Sequence, residues 1–562
     1  MHTHKILNIA SSSHALREEL AKELSISGLL AQLLINRGIT DPESAGRFLN
    51  VKLGDLRDPF SFGDMRAAVR LIDEAGKLGK PIMVFGDYDV DGITSIALLK
   101  TALLERGFKA THYLPHRIKE GYGLTPDIHQ VAAEQGVGLL ITADCGISNH
   151  DEVRRLKERG IRVVITDHHE PDSTRLPSAD AIINPKVKGS GYAFRDLAGV
   201  GVAYKLAQAL LGRSLEEELD LVALGTIADS VPLVDENRII AKAGLECIVN
   251  TQRPGLKALI DKSGIKRRRC DTTLVSFMLA PRINASGRMD TAQTSLDLLL
   301  SSDDDQARIL AGVLETHNRL RQKTESRIMS EAEDLIDKEV NFKEHKVIVI
   351  AKENWHHGVL GIVASKLADR FYRPAVVISL EEEMGKGSAR SIKSFHLFDA
   401  LNGCRDHLHA FGGHSHAAGL VITRDSIDDF RRTLNRLAHD TLTLEDLLPS
   451  LDIDMEVNFS QVHDDLVMEI ERLAPFGHGN PEPLLLSRNL TLRSEPRVMG
   501  RETIKFWVTD GQRTYQALGF GMSGFKNSLM SASSFDMAYT PRIDTWGGMH
   551  SLVLEAKDLF FR

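Results

Sequence analysis

Three aspartates stand at alternate positions in Val84-Phe85-Gly86-Asp87-Tyr88-Asp89-Val90-Asp91-Gly92, straight after an apolar run. Carboxylates packed this tightly repel one another at neutral pH, so the cluster needs a cation, and hard divalent metals prefer oxygen ligands. A solvated acidic turn is the plain alternative, because Asp and Gly are common turn residues. A second cluster, Asp167-His168-His169, again follows an apolar run, Ile161-Arg162-Val163-Val164-Ile165. Between the two, Leu139-Leu140-Ile141-Thr142-Ala143 ends on Asp144, and the apolar segment from Leu221 ends on Asp229. Acids at several such ends, joined by adjacent histidines, make a mixed oxygen and nitrogen donor set. It suits manganese, or magnesium with more water.

These side chains need a scaffold. Pro81–Phe85 reads as a buried strand and Ile93–Leu104 as the helix after it. From about 80 to 235, strands alternate with helices, which predicts a mostly parallel sheet whose strand ends offer the ligand-binding edge. For 221–229 strand and helix fit equally. Residues 1 to about 75 read as helical and polar, with Asp41-Pro42-Glu43-Ser44 as a helix start. Residues 236–300 read as mostly helical and carry the densest basic run, Lys266-Arg267-Arg268-Arg269, a solvated face or a DNA contact. Asp303 to Val340 predicts one long helix, opened by three aspartates that suit its N-terminus, joining two lobes. The next lobe, about 345–440, has strands at Lys346–Ile350 and Ala375–Ser379, a loop and helix at Trp355–Ile362, and glycine-bearing segments at Gly387–Ser391 and Gly412–Gly419. The last part, about 450–562, is β-rich, with a hairpin of Ile504–Thr509 and Thr514–Leu518 about Asp510-Gly511. There Lys505 and Trp507 share one strand face, opposite Phe506 and Val508. An aromatic beside a base suits stacking and phosphate tracking on an oligonucleotide-binding OB fold; a core tryptophan is the alternative.

The 562 residues imply three or four domains, and 26% charged with 42% hydrophobic residues describes an ordinary globular protein. Four scattered cysteines form no C-x-x-C, so neither a zinc knuckle nor a disulfide framework is expected, and a reducing cytoplasm fits. No apolar run reaches membrane-spanning length, and the N-terminus lacks a signal-peptide apolar region. A net charge of −8 confines nucleic-acid binding to local basic patches.

Asp87-Tyr88-Asp89-Val90-Asp91-Gly92, Ala143-Asp144-Cys145-Gly146, Asp167-His168-His169 and Thr226-Ile227-Ala228-Asp229 resemble the four motifs of the DHH phosphoesterase superfamily. Gly412-Gly413-His414 with Ala417-Ala418-Gly419 resembles its DHH-associated domain. Within the superfamily the sequence is most similar to the RecJ branch of single-strand-specific 5′→3′ DNA exonucleases. The pointers are His116-Arg117 with Glu120–Gly123, Ala280–Arg288, and Pro475–Pro483. One departure is Phe85, where many members carry a histidine; Asp87 is placed to compensate.

The resemblance implies a parallel-sheet α/β DHH domain (76–300), behind an N-terminal helical segment (1–75). A connecting long helix (301–343) would lead to a smaller α/β DHH-associated substrate domain (344–445) and a C-terminal OB-like β-barrel (446–562). It implies two Mn2+ or Mg2+ ions on Asp89, Asp91, Asp144, His168 and Asp229, with His169, Asp167 and Asp87 in catalytic roles. His169 would face the scissile phosphate, or else orient His168 or a carboxylate. Arg117, Ser388 and Arg390 would read a 5′ end, with Gly412, Gly413 and His414 as a substrate loop. Arg282, Asn284 and Arg288 would touch DNA or pack helices. His407, His409, His414 and His416 could instead suggest zinc, which the flanking glycines argue against. The implied activity is hydrolysis of single-stranded DNA to 5′-mononucleotides in recombination and repair, with single-strand-binding protein and a helicase as partners and a monomeric enzyme. The alternative is a phosphoesterase for pyrophosphate, a cyclic dinucleotide or very short RNA; a silent DNA-binding scaffold is disfavoured because no motif acid is missing.

Overall fold

A computed structural model describes residues 5–172, 174–264, 270–500, 502–544 and 550–561. The basic run Lys266–Arg269 therefore lies outside the described residues. The chain divides into two compact units: residues 56–231 and 243–449 form one, and the described parts of 4–55, 232–242 and 450–562 form the other.

The first unit contains, after a helix at Met65–Lys77, β1 (Ile82–Gly86), α1 (Val90–Glu105), β2 (Ala110–Tyr113), β3 (Leu139–Ala143), β4 (Arg162–Thr166) and β5 (Ala181–Ile183). The strands are parallel, in the order β2-β1-β3-β4-β5. Every residue of β1 and β3 is buried, as expected of a parallel sheet covered on both faces. Strand order reverses between β1 and β3, and open α/β sheets take ligands in the crevice beyond the strand ends at such a reversal. Asp87 and Asp144 follow β1 and β3 directly.

Two further helices, α2 (Gly199–Leu211) and α3 (Leu219–Ala228), pack against α1. The ambiguous segment at 221–229 is thus helical up to Asp229. It showed no helical period because α3 is buried from Leu219 to Ile227, leaving no polar face to mark one. Then come α4 (Ala280–Met289) and the 36-residue α5 (Asp304–Glu339), capped by the Asp303 carboxylate on the Gln306 N–H. This long helix packs on α4 in the first lobe and on α6 (His357–Phe371) in the second, the connecting role expected of it. The second lobe is a five-stranded sheet of β6 (Ile348–Glu353), β7 (Ala375–Glu381), β8 (Met384–Arg390), β9 (Ala410–Gly413) and β10 (Ala417–Thr423). Its order is β9-β10-β8-β7-β6, with only β6 and β7 parallel.

The second unit is a closed five-stranded barrel with helices on it. Strands β11 (Leu485–Met499), β12 (Thr503–Thr509), β13 (Thr514–Gly519), β14 (Phe535–Asp544) and β15 (Ser551–Phe561) run in the order β11-β12-β13-β15-β14, and β14 pairs back onto β11. Leu30, Leu33 and Leu34 from the N-terminal helices share one core with Phe459, Phe506 and Tyr539. The helix start at Asp41 is as expected: its carboxylate accepts the Ser44 N–H, with Pro42 in the first turn. In the Pro475–Pro483 segment, the buried Asn480 donates to the Leu473 and Pro475 carbonyls and accepts from Arg37, so this motif braces the unit. On β12 Phe506 and Val508 are buried and Trp507 is 44% exposed, so the tryptophan is not a core residue. No described helix is long and apolar enough to cross a membrane.

Candidate metal centre and phosphate pocket

The acidic loop after β1 is fixed by short-range bonds. Asp89 caps α1 by accepting the Gly92 N–H at 3.1 Å, and Gly92 is required because a Cβ would lie 2.4 Å from the Asp87 carbonyl oxygen. Asp91 accepts the Gly199 and Val200 N–H groups at 2.8 and 2.6 Å, so the start of α2 is built around it. Helix N-termini favour such negative charge. Asp144 adopts a left-handed backbone, φ +62°, and its side chain occupies the space where Gly199 lacks a Cβ; one built there would stand 2.5 Å from Asp144 Oδ1.

After β4, the Asp167 carboxylate is fully buried and accepts four N–H groups: the backbones of Ile147, His168 and His169, and His169 Nδ1 at 2.8 Å. Three of these bonds fall on Oδ1 and one on Oδ2, so Asp167 is tied to the loop and holds the His169 ring. His168 Nε2 lies 3.1 Å from Asp144 Oδ1, 3.6 Å from Asp229 Oδ2 and 3.9 Å from Asp91 Oδ2.

These groups need a cation. Asp87 Oδ1, Asp144 Oδ1 and His168 Nε2 are buried without a hydrogen-bond partner. Burial, then neighbouring aspartates, pushes the Asp87, Asp144 and Asp229 carboxyls well above the usual range, and Asp91 to about 7. Burial and the adjacent His169 push His168 down to about 3, keeping it a neutral ligand. Burial opposes a charge on His169, but the Asp167 hydrogen bond and nearby carboxylates outweigh it and raise its pKa. Ligand atoms converge within 4.8 Å in three overlapping sets: Asp87, Asp89 and Asp144; Asp144, His168 and His169; and Asp91, His168 and Asp229. Oxygen donors with one or two imidazoles fit manganese or magnesium. Phe85 lies outside this set, fully buried and stacked on Tyr113 at 5.3 Å, while Asp87 supplies a carboxylate two residues on.

A cationic pocket adjoins the acidic loop. Arg117 lies over the Tyr88 ring at 4.6 Å, and Arg288 donates to the Gly358 carbonyl at 3.1 Å. Arg390 Nη1 is 3.3 Å from Ser388 Oγ, and both side chains fill the space left by Gly361, where a Cβ would lie 3.0–3.1 Å from them. Burial and the charges of Arg117, Arg321 and Arg390 push Arg288 down to about 9; burial and Arg117 also lower Arg390. Arg117, Arg288 and Arg390 form no salt bridge among the described residues, which makes this a place for an anion.

Other expected residues go elsewhere. Arg282 pairs with Glu315 at 2.8 Å and donates to the Met278 carbonyl, tying α4 to α5 as in the packing reading of this residue. Asn284 has Oδ1 buried and unbonded, and no bond joins it to either pocket. Gly412, Gly413 and His414 are exposed where β9 turns into β10. Gly413 sits at φ +147° with room for no Cβ, and Gly412 aligns across Gly419 with Ser388. His407 bonds Thr433, and no metal-binding group forms around it among the described residues. Sequence reasoning missed Tyr122, whose hydroxyl lies 2.9 Å from His169 Nδ1, and Gly199 and Gly361. Only glycine and tyrosine in motif-rich stretches signalled them.

The DHH family N-terminal domain matches residues 81–226, the DHHA1 domain 344–440 and the RecJ OB domain 453–558. The single-stranded-DNA-specific exonuclease RecJ of Bacillus subtilis is 41% identical over 544 residues, covering 96% of this chain and 69% of that protein. The Haemophilus influenzae enzyme of the same name is 35% identical over 96% of this chain and 97% of its own. The crystal structure of Thermus thermophilus RecJ with Mn2+ superposes with a TM-score of 0.85 at 29% identity, over 99% of this chain and 80% of that one. The same protein with Mg2+ gives 0.78 at 26% identity, over 99% and 78%. With three matched domains and relatives of 35–41% identity aligned over 96% of its length, this chain belongs to the RecJ family of single-stranded-DNA-specific exonucleases.

Proposed function

We propose that the chain hydrolyses single-stranded DNA from the 5′ end, releasing 5′-mononucleotides with the help of two divalent ions. The observation that carries this reading is a buried acidic cluster beside half-buried Arg117, Arg288 and Arg390, which form no salt bridge among the described residues. Asp87, Asp89 and Asp144 would hold one ion and Asp91, Asp144, His168 and Asp229 the other, with Asp144 shared. Two such ions supply an acidified water and stabilise charge on both the attacking and leaving oxygens of an in-line displacement.

The chain's own side chains set the rest. His169, whose Nδ1 donates to Asp167 beside the Tyr122 hydroxyl, would hydrogen-bond the scissile phosphate. Arg117, Arg288, Arg390 and Ser388 bind the terminal 5′-phosphate, one nucleotide from the bond to be cut. Fixing that phosphate sets both the polarity and the one-nucleotide step. Exposed Trp507 with Lys505 on the barrel supports single-strand binding by that unit through stacking and charge. Single-strand-binding protein and a helicase would supply such strands, and the enzyme would act as a monomer.

A 3′-labelled, 5′-phosphorylated single strand with Mn2+ tests the reading. Progressive shortening from the 5′ end that falls more than about 100-fold in Asp144→Ala is expected for loss of a shared ligand. Intact DNA with the wild type would sink it and turn attention to pyrophosphate and cyclic dinucleotides.

A further inference from the structure

The acidic cluster has two ends, and they differ. Arg117 acts on Asp87, at the end that adjoins the arginine pocket. At the other end Lys186 is the cation that acts on both His168 and Asp229. Lys186 is held there by the metal-centre segment itself. Asn184 is fully buried; its Nδ2 donates to the His169 carbonyl at 3.0 Å and its Oδ1 accepts the Lys186 N–H at 2.8 Å. Arg195 donates to the Lys186 carbonyl at 3.2 Å, so Lys186 is tied to the histidine segment through Asn184 and to Arg195 through its own carbonyl. The Lys186 side chain is 19% exposed, and its ammonium meets Glu170 at 3.3 Å. Glu170 is 67% exposed, and such a surface pair contributes little. Beyond that exposed pair the packing does not require a lysine, whose burial costs more rotamer freedom than that of a leucine or isoleucine.

We propose that Lys186, with the exposed guanidinium of Arg195 beside it, binds the first phosphate on the 3′ side of the scissile bond, in the strand that the enzyme retains. The inference rests on the 5′→3′ reading above. If the terminal phosphate occupies the Arg117 end and the scissile phosphate lies over the acids, the next phosphate reaches the Asp229 end. Lysine suits it, as a compact point charge that holds a phosphate without demanding one orientation while the strand steps forward.

The test compares 5′-phosphorylated thymidine dinucleotide, which has no phosphate beyond the scissile one, with the trinucleotide, which has one. In Mn2+, Lys186→Met should lower kcat/KM about tenfold on the trinucleotide while the dinucleotide stays within about twofold, and Lys186→Arg should recover most of the loss. On a long strand the Lys186→Met salt dependence of KM should flatten by about one counterion. The Mn2+-induced rise in melting temperature should match wild type, showing an undisturbed metal centre. Equal losses on both substrates, or none on either, overturn the proposal. A wild type that releases no 5′-mononucleotide from either substrate overturns the exonuclease reading instead, and this inference with it.

Discussion

Asp167 and Asp144 show how different two motif aspartates can be. Asp167 is desolvated, yet the His169 hydrogen bond and the charges of His169 and His168 hold its carboxyl below the usual range. Asp144 has its outward oxygen buried and unbonded, and its carboxyl is driven upward. Asp167→Asn exchanges one acceptor oxygen for a donor against an N–H already aimed at it. It should cost about 1–3 kcal/mol in urea unfolding and lower kcat by roughly 10–100-fold with KM little changed. An unchanged kcat would show that the histidines do not need it. Both aspartates were legible in the sequence because each sits at the end of an apolar run, a local signal. The division of labour between them was not legible, because it depends on the Ile147 backbone and on α2. Tyr122 was equally hidden, since its partner is 47 residues away.

Elements place these groups through close backbone approach. The start of α2 gives two N–H groups to Asp91 and, by the missing Cβ of Gly199, room to Asp144. Gly199→Ala should push Asp144 out of place, because its Cβ, Cγ and Oδ1 would all lie within 2.9 Å of the new methyl, and weaken Mn2+ binding by at least about tenfold in calorimetry. Wild-type affinity would dissociate α2 from the metal centre. The α4–α5 contact makes the opposite kind of case. The Arg282 guanidinium pairs with Glu315, which keeps Arg319 as a second partner. Arg282→Ala should therefore cost about 1–2 kcal/mol of stability and leave KM for DNA unchanged; a raised KM with normal stability would restore a DNA contact. Periodicity and strand-end acids made the parallel sheet, the long helix and the β12–β13 hairpin readable. A lone arginine carries no such mark, and the partner of Arg282 lies 33 residues on, so its role needed the packed helices.

At the scale of the whole molecule, the metal centre is a store of unfavourable charge until cations bind. Asp91 is raised to about 7, and Asp87, Asp144 and Asp229 are raised as well. Carboxyls whose pKa is higher folded than unfolded bind more protons in the native state. Their penalty is absent below the unfolded value, near pH 4, and grows as pH rises toward 7 and beyond. In EDTA the catalytic unit should therefore melt at a lower temperature at pH 8 than at pH 5.5, after correction for groups elsewhere using Asp144→Asn as the reference. That substitution removes one charge while keeping a residue that tolerates the left-handed backbone at this position. At pH 8 without metal the variant should melt about 2–4 °C above wild type, and the gap should close toward pH 5.5. Mn2+ should reverse the order, because an ion that binds only the native state stabilises by mass action and the variant has lost a shared ligand. A variant less stable than wild type in EDTA at pH 8 would mean that Asp144 contributes to folding by packing, and that the crowding of acids is relieved by some route other than metal.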